Sequence, residues 1–434
     1  MSKKERGLWE LYANDPEKAD AEIWGRQTEK LSRRGFLKKS GLAALSAAIG
    51  FQIPFFRSMP SGLIPVTLAE ASEETLISEK NGLRVLNERP INAETPPHLL
   101  DDDFTPNDKH FVRNNGLTPH HTDRPGEWEL TVDGEVHQPL KLTLDELKKN
   151  FKHRTLALQL ECGGNGRAGY NPRAKGNQWT FGAIGCARYT GVRLSEVLRA
   201  AILKSSAVYT GYYGKDLHLS GDPKKVSISR GTPILKAMDE HTLLVWEMNG
   251  EPLPLLHGFP LRLISPGWPG SASPKWLSRI VVRDRIHDGH KMNKYRIPRY
   301  PVAPGTHVPL DDMVIIESLP VKSLITNPQS GVKISKNYSL ELRGKAWAGS
   351  RKVEAVHVSF DFGSTWLETD LMEASNRYAW QRWTSQVNFP KKGYYEVWVR
   401  ASDNEGVMQP MVVPGWNPSG YINNAMHRIA VTVV

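Results

Sequence analysis

One stretch of the sequence, residues 155–170, joins a strand-like run to a cluster of glycines. Leu156, Leu158 and Leu160 alternate with other residues, which is the period of a half-buried β-strand. Four glycines follow within seven residues, directly after Cys162, so the backbone there can approach a bulky group closely. A thiol at the end of a strand is either an inert core residue or a ligand for a soft metal ion, and the pattern alone leaves both open.

The glycines of this loop also match the G-x-G-x-x-G pattern of dinucleotide-binding folds, at Gly164, Gly166 and Gly169. That pattern binds a pyrophosphate only where a helix starts at the loop. The following residues include Pro172 and Gly176, which make a poor helix start. We therefore predict that this loop holds no nicotinamide or flavin cofactor.

The chain after residue 72 shows two patterns. Up to residue 309, strand-like segments such as 127–132 and 279–282 alternate with helical ones at 144–151 and 194–203, which predicts an α+β domain. Residues 310–434 contain short strand-like runs separated by turns, which predicts an immunoglobulin-like β-sandwich. These runs are residues 332–347, 353–360, 379–387 and 394–401. The link at 311–320 shows no flexible linker, so we expect the two domains to pack together.

Residues 1–71 have the features of an export signal. Arg33 and Arg34 are followed by Gly-Phe-Leu-Lys, the pattern of a twin-arginine signal, and by a modest apolar run at 41–56. Small residues precede a cleavage point after Ala71. The run is interrupted by polar residues and proline and is shorter than the roughly 18 residues of a membrane span. The prediction is a periplasmic protein, exported folded with its cofactor, with no stable membrane span in the mature chain.

Composition excludes several classes of function. The net charge of +10 is spread along the chain without a long basic block, so nucleic-acid binding has little support. Two cysteines are too few for a disulfide framework or an iron–sulfur site. The chain has no Cys-x-x-Cys-His motif, so we expect no haem in it. The pairs His120/His121 and His287/His290 lack the spacing of a second metal site.

Basic and aromatic residues of the first domain recur in compact clusters, at 111–115, 257–262 and 273–276, with Arg167 and Trp179 between them. Each taken singly has an ordinary structural explanation. Together with a thiol they suit a cofactor that carries phosphate and a substrate that is an oxyanion, because arginine binds such groups through two hydrogen bonds.

Several motifs resemble the sulfite oxidase family. LQLECGGNGR, FVRNN, WTFGAIGCARYTGVRLSEVL, EMNGEPLPLLHGFPLRLISPGWPG and SPKWL are similar, in this order, to the molybdenum-binding domain of that family. WNPSGYINNAMHRIAV is similar to its C-terminal dimerisation domain. The resemblance implies an α+β molybdopterin-binding domain of the sulfite oxidase fold, an all-β sandwich and a homodimer.

The resemblance also implies roles for individual residues. Cys162 would be the protein's sulfur ligand to molybdenum, beside a single pyranopterin. The expected cofactor contacts are Val112, Arg113, Asn115, Asp216, His257, Arg262, Ser273 and Lys275. The expected substrate site is Arg113, Arg167, Trp179 and Tyr295, of which the first three would form the anion pocket.

The activity implied is that of a bacterial sulfite dehydrogenase, which oxidises sulfite to sulfate by oxygen-atom transfer and passes electrons to a separate periplasmic c-type cytochrome. Three alternatives stay open. They are the sulfane dehydrogenase subunit of a thiosulfate-oxidising system, a periplasmic sulfoxide reductase and an exported binding module without enzymatic activity.

The chain departs from the family pattern at three places. Asn115 stands where the family has a histidine that contacts the cofactor, and Ser419 stands where the vertebrate and plant enzymes have an arginine that reaches the anion pocket. The active-site tyrosine is assigned to Tyr295, with His290 and Lys291 as the other candidates. These departures favour a pocket that is less selective for anions.

Overall fold

The computed structural model describes residues 80–434. The predicted export signal, residues 1–71, lies outside the described residues. Within the described part of the chain, no helix is both long enough and apolar enough to cross a membrane.

The first domain is built from short strands and three short helices. The strands are β1 (Arg84–Glu88), β2 (Ile91–Glu94), β3 (Val112–Arg113), β4 (Glu129–Gly134), β5 (Leu140–Thr143), β6 (His153–Glu161), β7 (Ile184–Arg193), β8 (Tyr209–Gly214), β9 (Ser229–Pro233), β10 (Leu243–Met248), β11 (Glu251–Pro252), β12 (Arg262–Ile264), β13 (Leu277–Arg283) and β14 (Arg296–Pro298). The helices are α1 (Leu144–Asn150), α2 (Leu194–Ala200) and α3 (Ile234–Ala237). This mixture confirms the predicted α+β class.

Two five-stranded sheets form the body of this domain. One has the order β11-β10-β7-β6 with β12 also paired to β10, and the other has the order β5-β4-β13-β8-β9. Apolar side chains of both sheets and of α2 meet in one core, for example Val132, Leu198 and Leu263. The predicted strand before the glycine loop is β6, which pairs with β7 along its whole length and ends at Glu161. The sheet therefore delivers Cys162 at the end of a fixed strand.

Helix α1 shows how closely local sequence specifies this fold. The Thr143 hydroxyl accepts a hydrogen bond from the backbone N–H of Glu146, and the Glu146 carboxylate accepts one from the backbone N–H of Thr143. This capping box satisfies two donors that would otherwise lack partners at the helix start. Leu144 and Leu147 face the core. The helix predicted at 194–203 also forms but ends at Ala200, because Ile202 has left-handed backbone angles.

The second domain is a β-sandwich, as predicted. Its strands are β15 (Met313–Ile315), β16 (Lys322–Asn327), β17 (Val332–Ile334), β18 (Leu340–Trp347), β19 (Val353–Ser359), β20 (Leu367–Glu368), β21 (Asp370–Leu371), β22 (Gln381–Val387), β23 (Gly393–Asp403) and β24 (His427–Val433). The sheets β16-β18-β22-β21 and β17-β24-β23-β19-β20 share a core that includes Leu342, Trp383 and Val397. The run expected at 332–347 is two strands, β17 and β18, which belong to different sheets.

The two domains contact each other directly. Strand β14 of the first pairs with β15 at the start of the second. Away from this pair, the Arg343 guanidinium donates to the Asp101 carboxylate at 2.7 Å, and the Trp380 indole donates to the Asp103 carbonyl at 2.8 Å. The two domains are therefore packed against each other at more than one place.

Candidate functional site

Cys162 lies in the wall of a cavity on the first domain. The space between its walls is about 720 Å³ when its open mouth is included. The lining residues are Phe111, Arg113, Asn115, Leu160, Cys162, Gly163, Asp216, Ile228, His257, Arg262, Gly270, Ser271, Ser273, Pro274, Lys275, Trp276 and Tyr295. Cys162 is only 7% exposed and also contacts the core residues around it. The thiol is thus buried, but one side of it borders the cavity.

Backbone hydrogen bonds hold the cysteine in place. The Cys162 N–H donates to the Ala183 carbonyl at 2.9 Å, and the Cys162 carbonyl accepts the Asn165 N–H at 2.9 Å. The loop then turns through Gly166, whose φ of 91° is a left-handed conformation that favours glycine. A 3-10 helix of three residues, Arg167–Gly169, follows. The α-helix that the dinucleotide-binding pattern requires does not start here, as we expected from Pro172 and Gly176.

The turn at Gly166 should not tolerate a side chain. A Cβ atom there would lie 2.9 Å from the Cβ of Asn423, in addition to the cost of left-handed backbone. We expect Gly166→Ala to lower the free energy of unfolding by about 1–3 kcal/mol, measured by denaturant titration. Gly221→Ala is the matched control, because Gly221 also has a positive φ but has no atom within 4 Å of the added Cβ. Equal losses of stability for both variants would show that the Asn423 side chain moves aside at no measurable cost.

Basic side chains surround the far side of the cavity. The Arg262 guanidinium donates to the carbonyls of His257 (2.7 Å) and Ser273 (3.1 Å), and the Lys275 ammonium donates to the Leu256 carbonyl (2.7 Å). Burial lowers the pKa of Lys275 well below its ordinary value, and the nearby Arg262 charge lowers it further. Cationic groups that crowd one another in this way are the setting in which a bound anion is stabilised.

The carboxylate in the cavity wall is Asp216. Burial raises its pKa to about 6, against the opposing effect of Lys275. At neutral pH, where it is ionised, Asp216 offsets a single charge of the basic group, so the wall stays positive overall.

The raised pKa of Asp216 predicts a pH dependence of stability. The unfolded chain ionises this carboxyl near pH 4, as is ordinary for aspartate, but the folded chain does so only near pH 6. The folded state therefore holds the extra proton between these values, and stability is lost as pH rises from about 4 to 6. In the cofactor-free protein, Asp216→Asn should become progressively more stable than the parent over this window. Denaturant titration at each pH measures the difference, and a constant difference would contradict the assignment.

Two buried histidines adjoin the basic wall: His257 lines the cavity, and His110 does not. The His257 Nε2 atom is 2.6 Å from the Lys80 ammonium, and the His110 ring lies 5.1 Å from the His257 ring. Burial, and then the Lys80 charge, lower the pKa of His110 to about 3 and that of His257 well below its ordinary value. Both imidazoles are therefore neutral. Lys80 and His110 were not predicted from the sequence, because nothing in their local pattern marks them.

Another part of the cavity wall brings together Arg113, Asn115 and Tyr295. The Arg113 guanidinium donates to the Asn115 side-chain oxygen at 2.8 Å, and the Tyr295 hydroxyl donates to the same oxygen at 3.4 Å. The Tyr295 ring contacts the guanidinium of Arg230, at 5.0 Å, and the ring of Tyr421, at 5.4 Å. This packing fixes the direction of the phenol.

The structure separates the three candidates for the tyrosine position. Tyr295 lines the cavity, whereas His290 is exposed and its contact is a backbone one, in which its carbonyl accepts the Ser229 N–H at 2.9 Å. Lys291 is partly buried, and its pKa is lowered by burial and then by the Arg113 charge. Lys291 therefore lies close enough to Arg113 to add positive charge beside the cavity.

Three predicted site residues lie outside the cavity wall. The Arg167 Nε and Nη1 atoms donate to the carbonyls of Ser419 (2.8 Å) and Asn177 (3.0 Å), and its guanidinium packs over the Tyr421 ring. Trp179 is fully buried against Phe111, and its indole N–H has no hydrogen-bond partner among residues 80–434. Val112 packs in a small core cluster beside β2. The structure thus brings nine of the twelve predicted residues to one cavity and leaves these three behind its surface.

A C-terminal segment of the second domain covers the glycine loop, which the sequence did not reveal. The Ile422 N–H donates to the Gly163 carbonyl at 2.9 Å, and the Asn423 side chain donates to the Gly166 carbonyl at 2.7 Å. The Tyr170 hydroxyl donates to the Tyr421 carbonyl at 2.6 Å. Both domains therefore shape the surroundings of Cys162. Among the residues that the structure describes, no three His, Cys, Asp or Glu side chains form a separate metal cluster.

Comparison with known proteins agrees with this geometry. The oxidoreductase molybdopterin binding domain matches residues 115–291, and the Mo-co oxidoreductase dimerisation domain matches residues 313–434. Sulfite oxidase of Gallus gallus is 34% identical over 80% of this chain and 77% of its own length. Mitochondrial sulfite oxidase of Rattus norvegicus is 35% identical over 81% of this chain, which spans 66% of the rat protein.

A solved structure supports the same relationship. The crystal structure of the sulfane dehydrogenase SoxCD from Paracoccus pantotrophus superposes with a TM-score of 0.66 and 25% identity, covering 86% of this chain and 97% of that chain. The cavity, the two matched domains and these relatives agree on one assignment. The chain belongs to the sulfite oxidase family of molybdopterin oxidoreductases.

Proposed function

We propose that this protein oxidises sulfite to sulfate with a molybdenum–molybdopterin cofactor. The observation that carries the proposal is the cavity itself, in which the Cys162 thiol borders the same space as Arg113, Arg262 and Lys275. Soft metal ions bind thiolates, and the basic side chains suit both a phosphate group and a small oxyanion.

The donor set fits the cofactor. Within residues 80–434, the Nε atom of Arg262 and the hydroxyl of Ser271 are buried beside the cavity without a hydrogen-bond partner. Buried polar atoms of this kind are costly unless a ligand satisfies them. Cys162 would bind the metal, and His257, Arg262, Ser273 and Lys275 would hold the pterin and its phosphate, with further contacts from Asn115 and Asp216. When bound, this group supplies oxygen-atom transfer and takes up two electrons.

The residues of this chain would bind and orient the substrate. Arg113 and Lys291 would attract the sulfite dianion and balance its charge as it reacts. The Tyr295 hydroxyl, held by ring contacts with Arg230 and Tyr421, would turn its hydrogen bond from the Asn115 oxygen to the bound substrate. Arg167 would hold the glycine loop against the segment that contains Ser419 and Tyr421. Trp179 would exclude water from the region behind Cys162. Neither of these two residues would then contact the anion directly.

The electrons would leave singly to a separate c-type cytochrome in the periplasm, following the export signal that the sequence predicts. The match to a dimerisation domain supports a homodimer formed through the sandwich domains. Both statements depend on the family and on the sequence, and they can be tested by cell fractionation and by mass measurement in solution.

A second candidate function has a specific observation in its favour. Ser419 has no guanidinium, and its carbonyl is occupied by Arg167, so the segment that covers the glycine loop adds no charge of its own at this position. A pocket with fewer fixed charges would accept a sulfane sulfur carried on a protein, as the similarity to a sulfane dehydrogenase suggests. Arg113 and Lys291, in contrast, give little support to a neutral sulfoxide, and the family assignment removes the support for a non-enzymatic binding module.

Substrate comparison tests the proposal. The purified, molybdenum-containing protein is supplied with oxidised cytochrome c and with either sulfite or a carrier protein bearing a sulfane sulfur; in a third assay, reduced dye and a sulfoxide are supplied. We expect rapid cytochrome reduction with sulfite. Faster turnover of the protein-bound sulfane sulfur would favour the second candidate, and dye oxidation by the sulfoxide alone would contradict both.

A further inference from the structure

The residue immediately before the cysteine, Glu161, has a fully buried carboxylate with partners from the other domain. Its Oε1 atom accepts the Lys322 ammonium at 2.6 Å and the Asn165 side-chain amide at 3.0 Å, and its Oε2 atom accepts the Trp347 indole N–H at 2.8 Å. Lys322 and Trp347 lie directly opposite each other on strands β16 and β18. The sandwich domain thus presents two donors side by side to one carboxylate.

A continuous set of hydrogen bonds leads from this carboxylate to the backbone of Cys162. The Asn165 side chain, which donates to Glu161, also accepts the Ala183 N–H through its oxygen at 3.1 Å. The Ala183 carbonyl accepts the Cys162 N–H, and the Cys162 carbonyl accepts the Asn165 N–H, both at 2.9 Å. Both backbone polar groups of the cysteine therefore belong to a closed ring of hydrogen bonds formed by Cys162, Ala183 and Asn165. The Asn165 side chain connects this ring to Glu161.

Stability alone does not explain this arrangement. A buried ion pair is a weak source of net stability, because the cost of removing two charges from water offsets much of their attraction. The domains are joined elsewhere, by the pair Asp101–Arg343 and by β14 with β15. The buried pair of Glu161 and Lys322 is better explained by its effect on the neighbouring Cys162, whose orientation and electrostatic surroundings it sets.

We infer that Glu161 is a positioning residue for the Cys162 thiol, and that the sandwich domain controls it through Lys322 and Trp347. The inference rests on the proposed function, in which Cys162 binds the metal. Groups that orient a metal ligand without touching the metal commonly change affinity or activity by about 10–100-fold when replaced. The sandwich domain would then act on the metal site in addition to its role in assembly.

Glu161→Gln tests this with little change in size. The new amide has one oxygen and one NH2 group. In one orientation the NH2 faces the Lys322 ammonium and the Asn165 amide, and in the other it faces the Trp347 indole N–H. In both cases a donor meets a donor. The change also leaves the Lys322 charge without its carboxylate. We expect kcat for sulfite to fall by about 10–100-fold with KM nearly unchanged. The signal of the one-electron-reduced enzyme in paramagnetic resonance should shift, and the reduction potential of the metal should become more positive because a positive charge remains nearby.

Two further variants keep the inference testable if Glu161→Gln folds poorly. Trp347→Phe removes one donor and no charge, so it should alter the resonance signal while leaving the potential nearly constant. The double variant Glu161→Gln with Lys322→Met removes both charges, so its potential should return toward that of the parent. The control is Asp101→Asn, which breaks another ion pair between the same two domains. Its partner, Arg343, lies on strand β18, four residues from Trp347.

The outcomes separate the inference from the proposed function. If the parent protein contains molybdenum and oxidises sulfite, but Glu161→Gln matches Asp101→Asn in resonance signal, potential and kcat, then Glu161 has a structural role only and the inference is wrong. If the parent contains no molybdenum after maturation by its own export route, the proposed function fails first. A shift in signal and potential for Glu161→Gln, absent in Asp101→Asn and reduced in the double variant, would support positioning.

Discussion

Cys162→Ser is expected to abolish sulfite oxidation while the chain still folds. Serine is close to cysteine in size, and the backbone hydrogen bonds of Cys162 to Ala183 and Asn165 do not involve the sulfur. A hydroxyl is a much poorer ligand than a thiolate for a soft metal. Loss of a direct ligand should exceed the roughly 10–100-fold effects of groups that only support ligands, so we expect a decrease in kcat of more than about 100-fold.

Cys186 provides the matched control. It is the other cysteine of the chain and is fully buried in the core against residues of both domains. Burial raises the pKa of its thiol to about 12, so it remains a neutral apolar group. Cys186→Ser should therefore change stability more than activity. Steady-state kinetics measures the activity of each variant, metal analysis its molybdenum content, and circular dichroism its folding. Sulfite oxidation by Cys162→Ser at the parent rate would refute the assignment of the ligand.

Local sequence was enough to predict the parts of the fold that depend on neighbours in the chain. The alternating leucines before Cys162 predicted β6, and the capped helix α1 begins at Leu144 as expected. Residues 332–347 were predicted as one strand but form two, because β17 pairs with the distant β24 while β18 pairs with β16 and β22. Sheet membership depends on partners far along the chain, and no local pattern encodes it.

The site shows the same limit. Resemblance to a family was enough to place Cys162 and Lys275 at one cavity, because long motifs carry that information, whereas Tyr295 lies outside these motifs and was one of three candidates. It could not predict that Lys322 would lie 2.6 Å from Glu161, since these residues are 161 positions apart and lysine at a strand end is usually solvated. Likewise, Arg167 was expected at the anion, but its Nε and Nη1 atoms donate to backbone carbonyls that only folding brings near.

These contacts show that the sandwich domain helps to build the site in the first domain. It supplies Tyr421 behind Tyr295, the donors that satisfy Glu161 and the backbone that covers the glycine loop. The first domain supplies the basic wall that would hold the cofactor. Separating the two domains should therefore impair the cavity even if each domain folded.

Arg113→Gln is expected to weaken sulfite binding more than any other change that spares the metal ligand. The guanidinium lines the cavity, and its contacts to Asn92 (3.3 Å) and Asn115 (2.8 Å) orient it there. A hydrogen bond to a charged group is worth about 1.5–3 kcal/mol, which corresponds to about 10–100-fold in affinity. We expect a loss of this order in kcat/KM for sulfite, mostly through KM, with a parallel increase in the inhibition constant of sulfate. Arg113→Lys should lose less, because it keeps the charge but not the planar pair of donors.

The division between kcat and KM decides which of its two expected roles Arg113 performs. Arg113 was predicted both to contact the cofactor and to bind the anion. If it binds the anion, KM and the sulfate inhibition constant rise together, and higher ionic strength weakens the parent more than the variant. If kcat and molybdenum content fall instead while KM stays constant, the guanidinium serves the cofactor and the substrate site must be assigned to Lys291 and Tyr295. Arg173→Gln is the control, because Arg173 is an exposed arginine that does not line the cavity.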